Sequence, residues 1–180
     1  MTEQPSRYQR SFGGLVGALI VAIAVIAGYV AFRAILRVDP PDPVQAVDYV
    51  AAASYAQQQI SFPIAAPTEL PPGWIATSAS SRIAPEPRWH LGMLTQNRKY
   101  VGVEESTLTP EEMAKAAIDP SATQGADVSA GGVTWQRWTG PGDNIAYVRR
   151  AQGYTLLLVT TGGDDTLQIL ISTLPPSSLG

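Results

Sequence analysis

Residues 133–174 read VTWQRWTGPGDNIAYVRRAQGYTLLLVTTGGDDTLQILISTL, and their pattern decides the fold. Residues 133–138 and 144–150 are β-branched and aromatic runs flanking Gly140-Pro141-Gly142-Asp143, which is turn chemistry. A second turn at residues 150–153 leads into residues 154–161. There Leu156-Leu157-Leu158-Val159 is apolar at every position, as a central strand covered on both faces requires. Gly162-Gly163 breaks that strand. Asp164 or Asp165 is the expected cap of a final helix running to about residue 174, with Leu167, Leu170, Ile171 and Leu174 on its buried face. Pro175-Pro176 ends it.

Moving toward the N-terminus, Thr109-Pro110-Glu111-Glu112 is a capping box with proline at the first helical position, and predicts a short helix to about residue 118. Residues 120–126 read as a loop. Strands are predicted over residues 74–82, 89–95 and 100–106, the last two joined by Gln96-Asn97-Arg98-Lys99. Asp42 followed by Pro43 starts a predicted helix over residues 44–59, with Val47, Val50, Ala51, Ser54 and Tyr55 as its apolar stripe. These elements make an α+β domain: an antiparallel sheet of five to seven strands packed by two or three helices.

Residues 11–32, SFGGLVGALIVAIAVIAGYVAF, contain no charge, Asn, Gln or Pro. As a helix they span about 33 Å, against about 30 Å of hydrocarbon. A cleaved signal peptide is the competing reading, but its apolar region is shorter and ends in small residues. Here Phe32, Arg33, Ile35 and Arg37 follow. The expected organisation is a cytoplasmic tail at 1–10, a transmembrane anchor at 11–36, a Pro-rich stalk at 37–43, an extracytoplasmic domain at 44–176 and a tail at 177–180. Arg7 and Arg10 balance Arg33 and Arg37, so orientation rests on the short basic tail before a first apolar segment. Gly13 and Gly17 form a small-xxx-small pair suited to anchor packing in a homodimer.

The 180 residues include no Cys and one His, which excludes disulfides, thiol catalysis and any site needing two imidazoles of one chain. From residue 38 onward 8 Lys+Arg face 14 Asp+Glu, a formal charge of −6, opposite to what phosphate backbones attract. Nucleic acid is therefore not an expected partner. No metal or cofactor motif is present: Gly162-Gly163-Asp164-Asp165 lacks the ligand spacing of a Ca²⁺ loop, and Gly131-Gly132 lacks that of a phosphate loop.

His90 is the one candidate general base, with Ser80, Ser81 or Ser106 as conceivable nucleophiles. No G-x-S-x-G elbow accompanies it, so a structural or surface histidine is expected and no catalytic residue is assigned. Glu104 and Glu105 alternate to opposite faces of their strand. Trp135 and Trp138 are separated by an odd number, so one is expected inside and the other exposed. With Arg149 and Arg150 they form the candidate interaction surface.

The anchor after a basic tail, Phe62-Pro63-Ile64 with Pro67, Leu70-Pro71-Pro72-Gly73-Trp74, the hairpin from Trp89-His90-Leu91-Gly92 to Tyr100-Val101-Gly102-Val103-Glu104, and the Gly-bounded strand-helix ending together resemble a family of actinobacterial single-pass membrane proteins catalogued only as a domain of unknown function. The resemblance covers almost the whole chain and implies an exported, anchored domain, with no activity to carry over. The strand-helix ending also looks like extracytoplasmic sensor domains tied to anti-sigma factors. The functional expectation is a non-enzymatic, membrane-anchored module in the plasma membrane that binds protein, as an accessory subunit of a larger envelope complex. The alternative is a domain that binds a lipid or cell-wall ligand.

Overall fold

The computed structural model describes residues 12–35 and 45–179. The expected tail at 1–10 and stalk at 37–43 lie outside these residues, as do Asp42, Pro43 and Val44. The chain divides into two units, residues 1–43 and 44–180.

The first unit holds α1, Phe12–Ile35, 24 residues long. At about 1.5 Å per residue it reaches about 36 Å. Over Gly14–Arg33 it is long and apolar enough to cross a membrane, and none of this span is buried against protein. Gly17 has open space beside it. Gly13 is helical, and its surroundings lie outside what is described.

The second unit is built in chain order from α2 (Tyr49–Gln57), β1 (Ile75–Arg82), β2 (Arg88–Leu94), β3 (Tyr100–Ser106), α3 (Pro110–Ala117), β4 (Thr123–Gln124), β5 (Val128–Ala130), β6 (Val133–Thr139), β7 (Ile145–Arg150), β8 (Thr155–Thr160), α4 (Asp164–Thr173) and α5 (Pro176–Leu179). The strands form one antiparallel sheet in the order β1-β2-β3-β8-β7-β6-β4, with β5 pairing β6 beside that path. The domain is α+β. Its sheet exceeds the expected five to seven strands because β4 and β5, of two and three residues, fall in and just after the segment that reads as a loop and are too short to show periodicity.

β8 occupies the middle of the sheet, between β3 and β7, and every one of its six residues is buried. Its side chains alternate between two cores. Leu156 and Leu158 join Trp89, Leu91, Val101, Val103, Trp135 and Tyr147 beneath α4 and the segment 60–66. Leu157 and Val159 join Ala146, Val148 and Trp138 beneath Met113 and Ala114 of α3. Each fully buried Leu contributes about 1.5–3 kcal/mol of transfer free energy. The Thr109–Glu112 capping box forms: the Glu112 carboxylate accepts the Thr109 N–H at 2.9 Å, and Thr109 Oγ1 accepts the Glu112 N–H at 3.3 Å.

Three local readings are corrected. Residues 45–48 are not helical, and α2 begins at Tyr49 rather than near residue 44, with Asp48 as its cap, whose carboxylate accepts the Ala51 N–H at 3.0 Å. Its packed face is Tyr49, Ala52, Ala53 and Ala56, whereas Val50, Ala51, Ser54 and Tyr55 point outward. Three of the four packed residues are alanines, whose small side chains let the helix lie close to the sheet. α4 is capped by Gly163 at φ 86° with no side-chain cap bond, because the Asp164 side chain is engaged elsewhere. Finally, part of the expected tail at 177–180 forms α5, with Ser178 and Leu179 buried against the core.

Candidate functional site

On the α3 side of the sheet, β1, β2 and β3 present a polar row. The register places Ser80 opposite His90, His90 opposite Glu104, and Arg82 opposite Arg88. A register shift between Ala76 and Ser78 brings Ser78 opposite Gly92, and Gly92 faces Gly102 on β3. The two glycines make room for what lies above them. A Cβ at Gly92 would stand 2.5 Å from Ser78 Oγ, and one at Gly102 would stand 2.6 Å from the Tyr100 hydroxyl. Glycine inside a strand commonly marks such a close approach.

In this space Ser78, His90 and Glu104 form a continuous hydrogen-bonded chain. His90 Nε2 lies 2.9 Å from Ser78 Oγ, and His90 Nδ1 lies 2.5 Å from Glu104 Oε1. The other carboxylate oxygen of Glu104 accepts Arg88 Nε at 3.2 Å and Nη2 at 2.9 Å. The side chain of Glu104 is 8% exposed and that of His90 27%. In a neutral imidazole an Nδ1–H donating to Glu104 leaves the Nε2 lone pair to accept the Ser78 hydroxyl. Burial and then the Glu104 charge hold the Tyr100 hydroxyl above the ordinary tyrosine range. A small cleft opens beside the row, lined by Ser80, Ser81, Arg82, Arg88 and His90.

The other face of β3 carries Glu105, fully buried. Its Oε2 accepts the Ala65 N–H at 2.8 Å, and Trp89 Nε1 donates to the Ala65 carbonyl at 3.1 Å, so the two side chains together pin the segment 60–66. Burial pushes the Glu105 carboxyl up to about 8 despite the Ala65 bond. Leu156 lies across from both Glu105 and Arg149 in the register, and both side chains keep one buried polar atom without a hydrogen bond, Glu105 Oε1 and Arg149 Nη1.

A second polar cluster ties the sheet to α4. Arg137 Nε and Nη2 donate to Asp164 Oδ1 and Oδ2 at 2.8 and 2.9 Å, and the Tyr147 hydroxyl donates to Oδ1 at 2.8 Å. The Arg137 bond foremost holds the Asp164 carboxyl below the usual range, while burial and then Asp164 push Tyr147 up to about 12. An open cleft of about 450 Å³ with a mixed lining adjoins this cluster, bounded among others by Lys99, Arg137, Asp143, Asn144 and Ile145.

The expected interaction surface does not assemble. Trp135 is fully buried and Trp138 is 6% exposed. They do face opposite ways, but the sheet is covered on both sides, Trp135 tilting against Tyr147 and Trp138 packing beneath α3. Arg149 is half-buried. Arg150 is exposed, with Nη1 spent on the carbonyls of Thr107 and Leu108 and on Thr155 Oγ1. Of the three serines considered near His90, none bonds to it; Ser78 does. The signal that would have found it is the pair Gly92 and Gly102 inside two otherwise strong strands. Among the described residues, no group of three His, Asp or Glu side chains could hold a metal ion.

No curated protein matches the chain. The family model described as "Protein of unknown function (DUF4245)" matches residues 7–174, nearly the full length, and the chain belongs to that family.

Proposed function

We propose that this chain is a membrane-tethered module, its folded domain on the extracytoplasmic side of the plasma membrane, that works by binding a membrane-protein partner as an accessory subunit. The observation that carries this reading is the outward face of α2. Val50 is 54% and Tyr55 59% exposed, with Ala51 and Ser54 between them. An exposed apolar helix face is the form in which helices are taken up by partner grooves and partner helices. Thirteen residues, 36–48, separate the end of α1 at Ile35 from the start of α2 at Tyr49. Even fully extended, that link reaches only about 45 Å. The apolar α1 favours a membrane setting.

The test is co-purification of the tagged full-length chain from native membranes in mild detergent. A stoichiometric membrane partner that is lost with Val50→Glu and Tyr55→Glu, in variants that keep the wild-type melting temperature, supports the reading. Retention of the same partner by both variants removes α2 from it, and the absence of any partner removes the reading.

The alternative is a domain that binds a lipid or cell-wall ligand. The open cleft of about 450 Å³ beside Arg137, lined among others by Lys99, Asp143 and Asn144, is the place such a ligand would occupy.

A further inference from the structure

Ser78, His90 and Glu104 come from three strands and meet in the order hydroxyl, imidazole, carboxylate. That order is the one in which a nucleophile, its general base and the group orienting the base are arranged for acyl transfer. We propose that Ser78 is a nucleophile activated by His90, and that the site hydrolyses a carboxylic ester of a molecule bearing an anionic group. This assignment is independent of the docking face on α2.

Three features distinguish the arrangement from a strap that merely joins strands. Glu104 is fixed from both sides, Oε1 on His90 and Oε2 on Arg88, so the imidazole is locked with Nε2 toward the hydroxyl. Ser78 occupies space that exists only because position 92 is glycine. The row also borders a cleft of about 180 Å³ that holds two more hydroxyls and two guanidinium groups. Arg82 and Arg88 face each other across β1 and β2, and their side chains are 53% and 44% exposed. Arg88 holds Glu104 through Nε and Nη2, and Arg82 reaches the Glu86 carbonyl through Nε at 3.3 Å and its carboxylate through Nη2 at 3.9 Å; beyond these bonds the two half-exposed guanidinium groups supply positive charge for a carboxylate or phosphate of the substrate.

The reaction needs only water. Ser78 Oγ bonds to the carbonyl carbon as its proton passes to His90 Nε2. The ester C–O bond then breaks, and the alcohol leaves with that proton. Water attacks the acyl-serine and gives one proton to Nε2; the carboxylic acid departs, losing its remaining proton to solvent, as Ser78 recovers its hydrogen from Nε2. Glu104 balances the charge of the transient imidazolium throughout.

The experiment treats the full-length chain in mild detergent with an alkyl fluorophosphonate, which phosphonylates activated serines with loss of fluoride, and maps the adduct by peptide mass spectrometry. The expected result is a single adduct on Ser78, none on Ser80 or Ser81, and none on the urea-denatured chain. His90→Gln, which keeps a hydrogen-bonding side chain, should slow labelling at least about 100-fold while melting as the wild type does. No adduct at Ser78 in the folded wild type overturns the proposal, as does labelling that persists in the denatured chain or in folded His90→Gln. Hydrolysis of p-nitrophenyl hemisuccinate should exceed that of p-nitrophenyl valerate by about tenfold; equal rates overturn the anionic-substrate assignment.

Discussion

Glu104 and Glu105 are neighbours in β3 and occupy opposite chemical worlds. Glu104 is paired with Arg88 and His90 on one face of the sheet, and Glu105 is buried on the other with a single backbone N–H for a partner. The period of two in a strand is sufficient to separate them, and it divides the polar machinery of the domain from a carboxyl that serves the core.

The buried carboxyl makes stability depend on pH. The folded-state value of Glu105, about 8, lies above its ordinary 4.5, so the folded chain holds this proton more tightly than the unfolded chain between those values. Stability is therefore full below about pH 4.5 as far as this group is concerned, and falls as pH rises toward 8, by up to about 1.4 kcal/mol per unit. Urea unfolding of the full-length chain between pH 5 and pH 8.5 should show this decline. Glu105→Gln should flatten it and gain about 1–3 kcal/mol at pH 8.5.

The capping box, the hairpin of β2 and β3, and the two-sided burial of β8 are all legible in the sequence because each is a local pattern. The errors come where tertiary contacts override local ones. Asp164 stands where a helix cap is expected, but Arg137 and Tyr147, 27 and 17 residues away, take its side chain and leave Gly163 as the cap. In α2 Val50 and Tyr55 face outward while Tyr49 packs with Ala52, Ala53 and Ala56, whose small side chains permit a close approach. The Ser78–His90 bond depends on a register shift in β1, which no periodicity announces.

Gly92→Ala should destabilise the domain by about 1–3 kcal/mol, since the new methyl would stand 2.5 Å from Ser78 Oγ. Ser78→Ala should recover part of that loss in the double variant, because it deletes the clashing atom. Additive losses, read by denaturant unfolding, would contradict the contact.

Asp164 behaves in the opposite sense to Glu105. Its folded-state value lies below the ordinary 3.8, so its contribution is present above that value and lost as pH falls below it. Acid unfolding should begin at higher pH in Asp164→Asn, and its melting temperature at pH 7 should fall because Arg137 and Tyr147 both lose their acceptor. An unchanged acid limb would show that the cluster carries no such linkage.

Truncating Trp138 to Ala should cost about 3–5 kcal/mol, as for a large buried aromatic, and would not if that face of the sheet were open to solvent.

Sidedness is directly accessible because the chain has no native cysteine. Ser177 is exposed, whereas Ser178 is 1% exposed and unsuited to labelling. A membrane-impermeant maleimide should label Ser177→Cys in intact cells. Labelling only after lysis would place the domain in the cytoplasm.

The central claim, that the chain acts by docking a membrane partner on α2, is tested most directly by a photoreactive amino acid at Tyr55 in the full-length chain at native abundance. Illumination of intact membranes should give one discrete adduct with a membrane protein, and Val50→Glu should abolish it. A chain that stays uncrosslinked at Tyr55, or an adduct indifferent to Val50→Glu, would contradict the account.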